Sequence, residues 1–135
     1  MAILVLTDVK VVINSVNLSD HATSLTLTLD VDEQETTAFG ATYRARVGGL
    51  KDGKLDVEFN EDFAASNVDA TIWAALGTVV PFTAKATSAA NSATNPEYQG
   101  NILINSHVPI DGSVGDLAKV KVSWPTTGAV TRAVT

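Results

Sequence analysis

From Thr23 to Thr37 the chain reads Thr-Ser-Leu-Thr-Leu-Thr-Leu-Asp-Val-Asp-Glu-Gln-Glu-Thr-Thr, with Leu25, Leu27, Leu29 and Val31 alternating with Thr26, Thr28, Asp30, Asp32 and Gln34. A period of two held this long specifies a strand with one apolar and one wet face, since successive side chains of extended backbone point to opposite sides. At about 3.3 Å per residue the run reaches roughly 40 to 50 Å, where a strand of about 5 to 6 residues is usual. One small core does not require that length.

A second alternating stretch, Lys54 to Asn60, offers the antiparallel partner: Leu55, Val57 and Phe59 alternate with Lys54, Asp56, Glu58 and Asn60. Pairing the two puts Asp30, Asp32, Asp56 and Glu58 on one polar sheet surface, the pattern of a half-buried antiparallel sheet. Asp30, Asp32, Glu33 and Glu35 do not make a calcium loop, because the run lacks the glycine that an EF-hand turn needs. A glycosidase pair of carboxylates would need a cleft and a defined separation, which the spacing does not supply. The acids read as a solvated strand face.

The chain has 135 residues and 45% hydrophobic residues, enough for a single domain (1–135) with a core of its own. A formal charge of −6 argues against a broad phosphate-binding surface. No cysteine is present, so no disulfide framework or thiolate metal site forms. Met1 to Leu6 is apolar but short and without a basic flank, and reads as a strand or arm instead of a signal peptide or membrane span.

In chain order, Val9–Leu18 predicts a strand, closed by Ser19-Asp20-His21 and joined as a hairpin to the long strand. From Phe39 to Gly53 the alternation fades. Tyr43, Arg44, Arg46, Leu50 and Lys51 lie in this stretch, which predicts a long connection serving as a contact arm. Ser66-Asn67-Val68-Asp69 predicts a capping box opening a helix over Asn67–Leu76. Val68, Ile72, Ala75 and Leu76 form its apolar stripe and Gly77 its left-handed terminus. Its other face carries Ala70, Thr71 and Ala74, where a solvated helix would show Lys or Glu.

Thr78–Ala86 predicts a strand that Pro81 confines to an edge or bulge. Thr87–Pro96 predicts a mobile polar loop. Tyr98–Val108 and Leu117–Trp124 predict two more strands, and Gly128–Thr135 a last strand or free arm. Many turn-spaced strands with one helix define a mainly β, sandwich or barrel-like domain. His21 and His107 have no ligand spacing and read as polar turn or edge residues. No nucleophile elbow or phosphate loop occurs, so neither catalysis nor a cofactor is expected.

Several stretches together resemble the tail tube (major tail) proteins of long-tailed bacteriophages. They are Val11-Val12-Ile13-Asn14-Ser15-Val16-Asn17-Leu18-Ser19-Asp20-His21, Thr37-Ala38-Phe39-Gly40, Gly48-Gly49-Leu50-Lys51-Asp52, Val57-Glu58-Phe59-Asn60-Glu61-Asp62-Phe63 and Gly112-Ser113-Val114-Gly115-Asp116-Leu117-Ala118. The resemblance implies a β-sandwich with a flanking helix, six copies per ring, and stacked rings forming a DNA conduit. It implies a lumen lined by Thr26, Thr28, Asp30, Asp32, Asp56 and Glu58. It also implies a subunit contact through Ala70, Thr71 and Ala74, and an inter-ring loop carrying Tyr43, Arg44, Arg46, Leu50 and Lys51. The implied partners are copies of itself, the tape measure, terminator and tail-tip proteins, and double-stranded DNA in transit, with no membrane. The implied location is the virion tail, assembled in the host cytoplasm. A monomeric carbohydrate-binding or adhesin-like sandwich is the alternative, and a carboxylate hydrolase a third reading.

Overall fold

The computed structural model describes residues 3–135. Among them run seven strands and one helix: β1 Lys10–Ile13, β2 Val16–Asn17, β3 Ala22–Glu35, β4 Arg46–Asn60, α1 Val68–Ala75, β5 Val79–Lys85, β6 Glu97–Leu103 and β7 Lys119–Ala133. The strands join antiparallel in the order β2-β1-β5-β6-β7-β4-β3. The fold is mainly β with one short helix, as the sequence predicts.

β7 is the seam of the domain. Its residues from Lys119 to Pro125 pair with β4, the last pair being Lys54 with Pro125, and the next residue, Thr126, already pairs with Ile102 of β6. A proline, which lacks the donor for a further ladder bond, is tolerated where one ladder ends. What the sequence divides into Leu117–Trp124 and a separate terminal segment is therefore one strand that changes partner. Beyond the switch β7 bulges at the left-handed Gly128, opposite Gly100 of β6. A Cβ on Gly100 would lie 3.1 Å from Phe82 and 3.2 Å from Val130, so the bulge requires glycine there.

Both halves of the sheet feed one core. Leu55, Val57 and Phe59 of β4 and Val120, Val122 and Trp124 of β7 share a cluster with Val11 and Ile13 of β1, Val80 and Phe82 of β5, Ile102 of β6 and Ile104. Trp124 is fully buried, and its indole N–H donates to the Ser106 carbonyl at 3.0 Å, so the ring enters the core with no unpaired donor. Pro81 lies in a strand with neighbours on both sides. Its carbonyl accepts from Asn14 N–H just past the last β1 pair, which puts the missing donor at the end of that ladder.

The expected strand over Val9–Leu18 is instead a tight hairpin. Asn14 and Ser15 have φ of 50° and 66°, a primed turn that folds β2 back on β1. β3 consequently pairs with β4 alone. The loop Thr87–Pro96, expected to be mobile, is tied down: Lys85 Nζ donates to Ala89 O at 2.7 Å and to Asn91 Oδ1 at 3.0 Å, and Asn95 Nδ2 donates to Ala89 O.

The helix forms where the pattern places it, with Val68, Ile72 and Ala75 in the core and Gly77 left-handed at φ 86°. Leu76 lies outside the stripe and is exposed. The capping box does not form, because Ser66 takes φ 64° and Asn67 becomes the N-cap. Asp62 organises the entry instead, accepting from Ala64 N–H at 2.9 Å, Asn67 Nδ2 at 2.7 Å and His21 Nε2 at 2.7 Å. His21 Nδ1 contacts Asp20 Oδ1 at 2.9 Å, so one imidazole bridges two carboxylates and ties the start of β3 to the helix approach.

The Asp62 hydrogen bond raises the His21 pKa above its ordinary 6.5, Asp20 adds to it, and burial opposes it. The Ala64 amide, followed by His21, holds the Asp62 pKa below its ordinary 3.8. The histidine's contribution is fully present below pH 6.5 and is lost as pH rises through the higher folded value; the aspartate's is present above 3.8 and lost as pH falls through the lower one. Thermal melts should therefore show stability falling as pH rises above 6.5. His21→Gln should flatten that slope. An unchanged slope in the variant would mean that the His21 bridge does not carry it.

A two-stranded ribbon and its candidate assembly surfaces

Where β7 leaves β4, the β3–β4 pair continues alone. From Leu29 to Glu35 and from Arg46 to Gly53 the two strands form a ribbon without a third neighbour. All seven residues of β4 from Arg46 to Asp52 are exposed, and buried positions begin only at Gly53. The expected long loop over 39–53 is thus corrected: Arg46, Leu50 and Lys51 lie in β4, and only residues 36–45 form the turn. Sequence pattern missed this because alternation marks burial, and a ribbon wet on both faces has none to report. Tyr43 and Arg44 belong to the turn, which closes through Thr36 N–H to Ala45 O at 2.8 Å and Ala45 N–H to Thr37 Oγ1 at 2.8 Å.

Gly53 is the root of the ribbon. A Cβ there would stand 2.9 Å from Leu29 Cδ2, 3.1 Å from Thr126 Oγ1 and 3.1 Å from the Thr28 carbonyl. Thr126 Oγ1 donates to the Gly53 carbonyl at 3.2 Å, tying β7 to β4 at the point of parting. Further out, a bulge separates the pairs Val31–Lys51 and Glu33–Gly48, reversing which face each later β4 residue occupies. Val47 therefore shares the face of Gln34, while Arg46 joins Glu33 in an ion pair.

Register settles the wet face. Thr26 pairs with Asp56, which pairs in turn with Ser123; Ser24 pairs with Glu58, which pairs with Lys121; Thr28 pairs with Lys54, and Asp30 with Asp52. Thr26, Thr28, Asp30, Asp56 and Glu58 thus share one surface, and Asp32 follows at the bulge. β7 adds Lys119 and Lys121, and Lys119 Nζ lies 3.5 Å from Glu58 Oε1 while Lys54 Nζ lies 3.9 Å from Asp56 Oδ2. The surface is graded, acidic toward the ribbon at Asp30 and Asp52 and mixed over the body. The alternation of Lys119, Lys121 and Ser123 signals a wet face in sequence, but not that this face continues that of β4.

The ribbon and the helix expose apolar side chains that a lone domain gains nothing by exposing. On the ribbon, Leu50 is 80% exposed and Tyr43 88%, with Leu29, Val31 and Val47 about half exposed. On the helix Ala74 is exposed and Ala70 partly so, but Thr71 turns into the domain at 7% exposure. Trp73 stands 68% exposed beside Ala74. β3 is a sheet edge along its whole length and carries no lysine or proline, the usual guards against pairing with another chain. Of the expected terminal arms, residues 3–6 form no strand and are exposed, Met1 and Ala2 lie outside the described residues, and the C-terminal segment belongs to β7.

No protein-family model matches the chain, and no curated protein matches it. Solved structures do. A chain of the virion of a native gene transfer agent particle aligns with a TM-score of 0.75 at 14% identity, covering 93% of this chain and 95% of that one. A chain of the tail of an empty gene transfer agent particle, solved with C6 symmetry, aligns with a TM-score of 0.67 at 16% identity, covering 84% and 82%. At such identities the likeness establishes the fold, and the fold is the one the tail-tube resemblance implies.

The crowding at Gly53 gives a direct test of the ribbon root. Gly53→Val should cost about 1 to 3 kcal/mol, the usual range for overpacking. Gly49→Ala, whose nearest contacts would be 3.4 Å, should cost under about 1 kcal/mol. Urea midpoints of the two variants measure the difference.

Proposed function

We propose that this chain is a structural protein of a virion tail, six copies closing into a ring and rings stacking into a tube through which double-stranded DNA passes. The observation that carries the reading is the β3 edge, free along its whole length, on a ribbon with two free faces. An isolated two-stranded ribbon is marginal in water, and this one gains its missing neighbours when the β3 edge pairs with an adjoining subunit. The C6 symmetry of the tail with the same fold supports six copies. With four strands from each of six subunits, about 4.8 Å spacing and about 40° tilt, the barrel would be roughly 48 Å across, enough for a duplex.

In this arrangement the face bearing Thr26, Thr28, Asp30, Asp32, Asp56 and Glu58 turns to the lumen. Its graded charge keeps DNA in transit, since uncompensated Lys or Arg contacts with phosphate are what make nucleic-acid binding strong. The helix face of Ala70, Trp73 and Ala74 meets a neighbour within the ring, Trp73 serving as the buried anchor. The ribbon carries Tyr43, Arg44, Arg46, Leu50 and Lys51 toward the next ring. The chain acts without catalysis or cofactor, in a virion tail assembled in the host cytoplasm, meeting tape measure, terminator and tail-tip proteins at the tube ends.

Size-exclusion chromatography with negative-stain microscopy should show six-fold rings or tubes, and a strictly 14.1 kDa monomer at every concentration would overturn the reading. Ala74→Arg should leave the domain folded and block assembly. Tubes forming normally from it would remove the helix from the interface. Replacing Asp30, Asp32 and Asp56 by lysine should cost the fold little, each exposed substitution falling within about 0.5 kcal/mol. Tubes of that variant should hold DNA at low salt and release it at high salt, while unaltered tubes hold none. Equal binding by both would show that these residues face elsewhere.

A further inference from the structure

We propose that Glu61, Asp69 and His107 form a binding site for a divalent transition-metal ion of the Zn²⁺ class, clasping the helix entry and the 104–118 connection to the end of β4. Glu61 directly follows β4, Asp69 lies in the first turn of α1 and His107 sits in the connection after β6, so the site joins three parts of the chain remote in sequence.

One ligand atom from each residue lies within 4.8 Å of the other two. For three atoms so placed, a central point lies at most about 2.8 Å from each, and Zn²⁺ bonds to nitrogen and oxygen are about 2.0 to 2.2 Å. Small side-chain rotations close the difference. His107 Nε2 and Asp69 Oδ1 are already 3.1 Å apart, near the separation of two donors on one tetrahedral ion.

The second observation is a pair of orphaned atoms in this cluster. The His107 side chain is 2% exposed, and its Nδ1 has no hydrogen-bond partner among the described residues. Glu61 Oε2 is also buried and unpartnered, while Glu61 Oε1 accepts from Asp62 N–H at 3.0 Å. Leaving such groups unpaired is costly, since a buried polar atom has given up its water without gaining a partner. A cation held by the carboxylates and the imidazole gives the buried Glu61 Oε2 the partner it lacks. One imidazole with two carboxylates suits Zn²⁺, Co²⁺ or Mn²⁺, whereas Ca²⁺ and Mg²⁺ prefer all-oxygen sites. In sequence the three residues lack any ligand spacing, since only the fold brings them together.

The site is independent of the tail reading and is tested on the full chain stripped with a chelator. Titration with Zn²⁺ alone should saturate at one ion per chain and raise the melting temperature by about 5 to 10 °C at a hundredfold excess over Kd. Co²⁺ should give visible absorption bands of a low-coordinate site. Glu61→Gln and the more exposed Asp69→Asn should each weaken Zn²⁺ binding by about tenfold or more with the circular dichroism unchanged. These two carry the test if His107→Gln fails to fold. A melting temperature indifferent to Zn²⁺ would overturn the proposal and leave the His107–Asp69 hydrogen bond beside a buried Glu61 carboxyl. A Zn²⁺ response equal in the unaltered protein and Glu61→Gln would overturn it too, by placing the ion on other surface acids.

Discussion

The pairing between β4 and β7 stops at Lys54 and Pro125, and the rest of the architecture follows from that stop. Up to it, β4 is an inner strand whose Leu55, Val57 and Phe59 are covered by the core. Beyond it, β7 crosses to β6 and joins the two halves of the sheet around one cluster, while β3 and β4 run on with no third strand. The same event makes the domain and the projection. Gly53 lets both happen within one residue, because a side chain there would keep Thr126 and Leu29 from closing on the backbone.

The projection is at odds with a solitary life. Hydrophobic side chains on a monomer's surface are ordinary when scattered, but Leu29 and Val31 on one face and Val47 on the other crowd two short strand segments, with Leu50 80% exposed between them, bordered by a long free edge. The exposed ion pairs of Glu33 with Arg46 and Glu35 with Arg44 contribute little to holding the ribbon, each being worth about 0 to 1 kcal/mol in water. The exposed Trp73 stands on a helix face otherwise made of alanine, the face proposed above to meet a neighbour.

At the helix entrance, short polar side chains do work that the apolar core does not. Asp62 gathers the donors of Ala64, Asn67 and His21, and Asp69 meets the buried His107. These contacts hold α1 against the end of β4. They also replace the expected Ser66 cap: once Asp62 holds Asn67, Ser66 is forced into a left-handed turn and cannot serve the helix amides.

Local alternation alone determined the two long partner strands, the apolar and wet faces of β3, β4 and β7, and the helix with its Gly77 terminus, because burial on one face writes a period directly into the residues. It stopped at the ribbon, where both faces are exposed and no period survives, so residues 46–53 read as a loop. It split β7 at Pro125, since a proline marks a strand's end unless the strand is changing partner. Long-range placement was decided by tertiary structure alone. The register of Thr26 with Asp56 and Ser123, the lysines that β7 brings to the acidic face, the inward turn of Thr71 and the meeting of Glu61, Asp69 and His107 all depend on which distant segments pack together. Residues tens of positions apart leave no spacing in a sequence; only the closing of the sheet around its core sets the distance between them.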